Sequence, residues 1–222
     1  MNQWNENIYR KGLHDNYWPF HQVIASAKRF HKLLGSPSEF RVLELGCGVG
    51  NNSIALATEG FQVTGIDFSD LAIAKAKARS TEKGIEVNFL VSSIEELIIH
   101  SEYYDYIFDR GAFVCLSNVQ IERSLKSIYS SLKPGGKFVG FDWYGDKQPD
   151  IAWGEKTKDG TYDNFNQGRF VNQGSINFVS LEQIEGFFKQ YIGNLNVIRN
   201  LEFDRNESLI SETFNIDFQK TE

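Results

Sequence analysis

A chain of 222 residues that is 41% hydrophobic and 14% aromatic can build the core of one α/β domain with an elaborated edge, and is short for two. Its net charge of −6 and pI ≈ 5.3 give no overall basic field to gather nucleic acid or anionic lipid, so neither nucleic acid nor membrane is an expected partner. Two cysteines, Cys47 and Cys115, make no disulfide framework; with no signal-peptide pattern and no apolar run long enough for a bilayer, a soluble cytoplasmic protein is expected.

Up to Arg41 the chain holds six Lys/Arg against three Asp/Glu, which reads as a solvated helix face ahead of a binding patch. Trp4, Tyr9, Tyr17, Trp18 and Phe20 make the start too aromatic for a plain solvated arm, and packing against the sheet edge competes with a role over a binding site. From His21 to Leu34, Val23, Ile24, Ala27, Phe30, Leu33 and Leu34 recur at helical spacing until Gly35-Ser36-Pro37 stops them. His14 and His21 lie in this region; a lone histidine is more often packed or exposed than catalytic.

Phe40 to Leu45 is the first strand, running into Gly46-Cys47-Gly48-Val49-Gly50 and then a helix over Asn52 to Glu59. A buried strand feeding a helix through alternate glycines is a nucleotide-cofactor site, with free N–H groups at the helix start facing the ligand. The dinucleotide fingerprint wants a glycine or alanine at position 51, where this chain has Asn51. Glu44, inside the strand, would repel a pyrophosphate but can accept hydrogen bonds from a cationic ligand, directly or through water. Both features weigh against a nicotinamide-dependent oxidoreductase. Cys47 reads as a small filler of the turn ahead of a nucleophile.

Glu44-Leu45-Gly46-Cys47-Gly48-Val49-Gly50 resembles the first motif of the class I S-adenosylmethionine-dependent methyltransferases. The resemblance implies a Rossmann-like, seven-stranded, mostly parallel α/β sheet with helices on both faces and a C-terminal antiparallel hairpin. It implies S-adenosyl-L-methionine as cofactor, S-adenosyl-L-homocysteine as product, and Glu44, Gly46, Cys47, Gly48 and Asn51 against the cofactor. It also implies that the N-terminal segment folds over the cofactor and lends aromatics, here Tyr9, Tyr17 and Trp18, to the substrate pocket.

Gly60 to Asp67 reads as a helix stop and second strand ending in an acid about twenty residues beyond the start of the turn, where the ribose hydroxyls should fall. A helix N-cap role for Asp67 competes poorly, because Ser69 already caps Leu71 to Arg79. Phe68 would lie against the adenine. Glu86 to Val91 is the third strand; the family commonly follows it with an aspartate on the adenine amino group, where this chain has Ser92-Ser93. Ser93 can still hydrogen-bond adenine and the Ile94 N–H can meet a ring nitrogen, although Ser93 serves equally as cap of a helix with Glu96 in a capping box.

Tyr104 to Phe113 resembles the family's fourth motif, with a strand over Tyr106 to Phe108 and Asp109 at its end, beside the expected methyl group. Asp109 would take the methionine ammonium, orient substrate, act as base, or simply pair with Arg110; Arg110 itself is a substrate-binding candidate. The Asn/Asp-Pro-Pro-Tyr/Phe signature of amino methyltransferases acting on adenine or glutamine amides is absent. Asn118 to Leu132 is an amphipathic helix, and Leu132-Lys133-Pro134-Gly135-Gly136 resembles the family turn that sets a fifth strand, Lys137 to Trp143, beside the fourth.

Tyr144 to Ser180 is irregular, glycine-rich and aromatic, with Trp153, Tyr162, Phe165, Phe170 and Phe178; it reads as a substrate cap over the sheet's C-terminal edge. Ser180 caps a helix to Tyr191, and Asn196 to Phe203 with Ser208 to Phe218 form a closing strand pair. The expected organisation is one domain, 1–222, comprising a helical lid (1–38), a cofactor core (39–143), a substrate cap (144–179) and a closing helix with strand pair (180–222). The expected activity is methyl transfer to an oxygen or nitrogen of a small-molecule acceptor, with Asp109, Asp142 and His14 as candidate bases and Trp143 and Phe170 joining the substrate-binding set. No metal-ligand cluster is seen, and none is expected. A methyltransferase acting on RNA or protein, and a cofactor-binding protein without turnover, are the alternatives.

Overall fold

In the computed structural model, which describes residues 8–12, 17–33, 39–96, 101–221, side-chain alternation along the central strand sets two cores. Strand β1 (Arg41–Leu45) sends Val42 to one face and Leu43 and Leu45 to the other. Behind Val42, helix α1 (His21–His31) packs Val23, Ala27 and Phe30, and helix α2 (Asn51–Thr58) packs Leu56, against Val63, Tyr106, Phe108 and Val139. Beneath Leu43 and Leu45 lie helix α4 (Asn118–Ser131), through Ile121, Leu125 and Ile128, and helix α5 (Leu181–Phe188), through Ile184, Phe187 and Phe188. Between α2 and α4 in chain order, helix α3 (Asp70–Lys83) covers Phe89 with Ile73 and Ala76.

The seven-stranded sheet has the order β3-β2-β1-β4-β5-β9-β8. Its parallel part comprises β1, β2 (Gln62–Asp67), β3 (Asn88–Val91), β4 (Tyr104–Arg110) and β5 (Leu132–Tyr144). Its antiparallel edge is β9 (Leu209–Lys220) paired with β5 and β8 (Gly193–Phe203). A two-stranded ribbon, β6 (Glu155–Lys156) and β7 (Tyr162–Asp163), lies in the insertion before α5. Chain order reverses between β1 and β4, the position where ligands enter open α/β sheets. There Leu45 lies level with Asp109 and with Ile66, so the chain after β1, the end of β2 and the end of β4 meet at one rim.

Some boundaries differ from the expected ones. Strand β5 begins directly at Leu132, where α4 ends, so Lys133-Pro134-Gly135-Gly136 is drawn into the strand and absorbed by a register shift between Tyr104 and Tyr106. Of the expected helix after Ser93, the described residues hold a tight turn over Ile94–Glu96, with the Ser93 hydroxyl accepting from the Glu95 N–H at 3.3 Å; Leu97 lies outside the described residues. The expected Ser69 cap is present, its hydroxyl accepting from the Ala72 N–H at 3.0 Å. His14 and Trp4 lie outside the described residues. No helix among the described residues is long and apolar enough to cross a membrane.

Candidate functional site

The glycine turn is shaped by left-handed backbone. Gly46 has φ +67° and Gly48 φ +53°, and a Cβ on Gly46 would lie 2.3 Å from the Ala112 Cβ. The turn is pinned to its neighbour strand: the Cys47 N–H donates to the Ile66 carbonyl (2.8 Å) and the Gly48 N–H donates to the Asp67 carboxylate (2.9 Å). Gly48→Ala is expected to cost about 1–2 kcal/mol of stability in a urea melt, the penalty of a Cβ in left-handed backbone.

Asp67 is buried, and its second oxygen accepts from the Ser69 N–H at 2.9 Å. The Tyr9 hydroxyl bonds the same carboxylate. Burial raises the Asp67 pKa above the ordinary carboxylate value, opposed by the Ser69 and Gly48 N–H groups and by Tyr9. Glu44 is buried beneath the turn, accepting from Asn52 Nδ2 (2.9 Å) and from the Ser53 hydroxyl. Desolvation drives its pKa up to about 7 despite those donors. Asn52 also accepts from the Phe20 N–H (2.9 Å) and Asn51 Nδ2 donates to the Trp18 carbonyl (2.8 Å), so the helix start ties the N-terminal segment to the turn.

A cavity of about 150 Å³ lies on the turn, lined by Tyr9, Phe20, Glu44, Gly46 to Val49, Asn51, Asn52, Arg110 and Gly111. The fit to an adenosyl cofactor is visible in three features: a floor without side chains at Gly46 and Gly48, a buried carboxylate at the β2 end, and a second beneath the turn. Phe68 is half-buried, Ser93 is half-buried and Ile94 is buried; with Asp67 they lie outside the cavity lining.

The candidate bases are placed differently from one another. Asp109 is fully buried: one oxygen accepts from the Ala112 (2.8 Å) and Phe113 (3.0 Å) N–H groups, the other from Trp143 Nε1 (2.8 Å). Its pKa rises to about 6, chiefly through burial. It does not pair with Arg110. Instead Arg110 lies 3.2 Å from the Asp142 carboxylate, and its guanidinium sits 3.6 Å over the Phe20 ring. Asp142 has φ +56° within an irregular β5–β9 register, and its N–H donates to Asn215 Oδ1 (3.0 Å). Such a bulge re-aims the next side chain. Trp143 accordingly folds back over Gly140, stacks on Phe113 at 5.0 Å and becomes 1% exposed, in the core rather than at the cavity wall.

Phe170 is also interior, closing a small core with Phe165, Ile176 and Phe178 inside the insertion. That insertion is fastened to the segment after β4 by Asn177, whose N–H donates to the Val114 carbonyl (2.7 Å) and whose amide donates to the Leu116 carbonyl (2.8 Å). Tyr17 and Trp18 are exposed, 66% and 80%, with Tyr17 beneath the Arg79 guanidinium. Of the expected substrate-binding side chains, the structure brings Tyr9 and Arg110 to the cavity and leaves Tyr17, Trp18, Trp143 and Phe170 away from it. Phe20, from the aromatic start of the chain, and Asn52, which carried no assigned role, also line the cavity; the Asn51-Asn52 pair opening a helix was the available signal for Asn52. Burial pushes the Cys47 thiol up, and the Cys115 thiol to about 12, which makes both poor nucleophiles.

A methyltransferase-domain family model matches residues 42–136. The ubiquinone biosynthesis O-methyltransferase of Rickettsia conorii is 34% identical over 110 residues, 50% of this chain and 37% of that protein; the chain spans about a third to a half of the curated relatives it matches. A solved SAM-dependent methyltransferase from Methanosarcina mazei superposes with TM-score 0.70 at 18% identity, over 91% of this chain and 99% of its own. Burkholderia thailandensis 1,6-didemethyltoxoflavin-N1-methyltransferase, solved with 1,6-didemethyltoxoflavin and S-adenosylhomocysteine, superposes with TM-score 0.67 at 17% identity, over 96% of this chain and 84% of its own. At such identities the superpositions speak for the fold. The match to the methyltransferase-domain model falls on the strands that bear Glu44, Asp67 and Asp109, in a sheet whose fold is shared nearly end to end with solved methyltransferases.

Proposed function

We propose that this chain holds S-adenosylmethionine on the Gly46–Gly48 turn, with Asp67 on the ribose, and methylates an oxygen or nitrogen of a small molecule. The observation that carries this reading is the bare left-handed turn set between the buried carboxylates Glu44 and Asp67 at the reversal of strand order. When bound, the cofactor supplies a sulfonium methyl open to in-line displacement by the acceptor. For such a reaction the protein contributes approach geometry and a local field. A pyrophosphate would meet two carboxylates here, whereas an ammonium and a vicinal diol suit them.

Asp109 has both oxygens engaged and Asp142 is ion-paired, so neither is placed as a free base for a neutral hydroxyl. An acceptor that brings its own lone pair, or arrives ionised and is held by Arg110, fits this rim. The small-molecule reading draws support from the names of the Rickettsia relative, a ubiquinone biosynthesis O-methyltransferase, and of the Burkholderia structural neighbour, a 1,6-didemethyltoxoflavin-N1-methyltransferase. The test is calorimetry with S-adenosylmethionine and S-adenosylhomocysteine, followed by a metabolite screen with labelled methyl donor. Asp67→Ala is expected to weaken cofactor binding by about 1.5–3 kcal/mol, the scale of hydrogen bonds to a charged group. Unchanged affinity would remove Asp67 from the site.

A further inference from the structure

We propose that Tyr9 is a plug in its own chain's cofactor site, holding Asp67 through the position that the ribose diol takes until the cofactor displaces it. The inference rests on the cofactor reading above. Tyr9 is only 7% exposed, and its hydroxyl, bonded to the Asp67 carboxylate, stands 3.3 Å from where a Cβ on Gly48 would be. The space that Gly48 keeps clear of side chain is therefore filled by a phenol. Lys75 Nζ clamps the Tyr9 carbonyl at 2.7 Å, and the ring packs on Val49, Leu71 and Ala72. With Tyr9 in place the cavity is about 150 Å³, below the roughly 300–1,000 Å³ of ordinary ligand pockets.

The chemistry makes the exchange reversible. Asp67 already accepts from two backbone N–H groups, and its remaining acceptor directions suit either the Tyr9 hydroxyl or the two hydroxyls of a ribose. One O–H donor replaces another, so the buried carboxylate is left unsatisfied in neither state. The cost of opening falls on the Tyr9 ring and its packing, and it lowers the apparent affinity by the fraction of molecules that are open. A tyrosine that closed over the bound cofactor would act in the opposite direction, adding affinity.

The test uses the full chain, with S-adenosylhomocysteine as probe, in Tyr9→Phe and Tyr9→Ala variants whose melts are run alongside. Tyr9→Phe keeps the ring and removes the hydroxyl; it is expected to bind severalfold tighter, and Tyr9→Ala roughly tenfold tighter. In stopped flow, the wild-type association rate should level off with rising ligand while that of Tyr9→Ala stays linear. Binding by Tyr9→Ala where the wild type shows none also supports the plug. Equal or weaker binding in both variants overturns it. Failure of all three proteins to bind overturns the cofactor reading beneath it.

Discussion

Asp109→Ala is expected to cost about 3–5 kcal/mol of folding stability, the scale for leaving buried partners of a removed charge unpaired. Three donors converge on this carboxylate: two backbone N–H groups from the turn after β4, and the indole of Trp143, which reaches it only because the bulge at Asp142 turns β5 inward. Removing the acceptor strands all three in a dry core and frees the segment that carries Gly111 to the cavity. Asp109→Asn separates this anchoring role from base catalysis. Its amide oxygen can keep the two backbone donors, but its NH2 then faces the indole N–H. The expected result is a lowered urea midpoint with turnover per folded molecule held within a few-fold. If Asp109 were the base, the Asn variant would keep its midpoint and lose turnover.

The central βα unit was legible because each local signal agreed with the next. An apolar run, left-handed glycines and an acid at the end of the following strand need no partner from elsewhere in the chain. The relations that decide the site are different in kind. Glu44 meets Asn52 and Ser53 only when the strand end and helix start are brought face to face. Arg110 finds Asp142 because β4 and β5 pair with Arg110 level with Phe141. Trp143 falls by alternation on the face of Val139 and Phe141 until a left-handed Asp142 turns it to the face of Phe138 and Phe113, over the bare Gly140. Tyr9 reaches Asp67 across 58 positions, a contact that no periodicity encodes. Lys133-Pro134-Gly135-Gly136 lies within β5 but loops out of the ladder between Leu132, level with Tyr104, and Lys137, level with Tyr106, so the turn that its composition suggests survives as a bulge.

Cofactor affinity is expected to rise between pH 5.5 and pH 7.5, and Glu44→Gln is expected to flatten that rise. Glu44 has an ordinary value of 4.5 in the unfolded chain and about 7 in the fold, with burial as the main cause. The folded state thus holds a proton that the unfolded state releases, and stability is highest below pH 4.5 and declines as pH rises through 7. Above pH 7 an ionised Glu44 costs about 2–4 kcal/mol, the scale of such a shift. An ammonium placed against the turn would favour that ionised form and pull the value back down, so binding releases a proton and strengthens with pH. Glutamine at position 44 can still accept from Asn52 and donate to Ser53, keeping the local bonds. At pH 8 the variant should therefore melt higher than the wild type and bind S-adenosylhomocysteine more weakly, the opposed pair of effects expected of a site that gives up stability for a charge its ligand needs. Parallel calorimetry of the two proteins at pH 5.5, 6.5 and 7.5 decides the matter, because an equal pH slope in both would mean that Glu44 supports the turn without sensing the ligand.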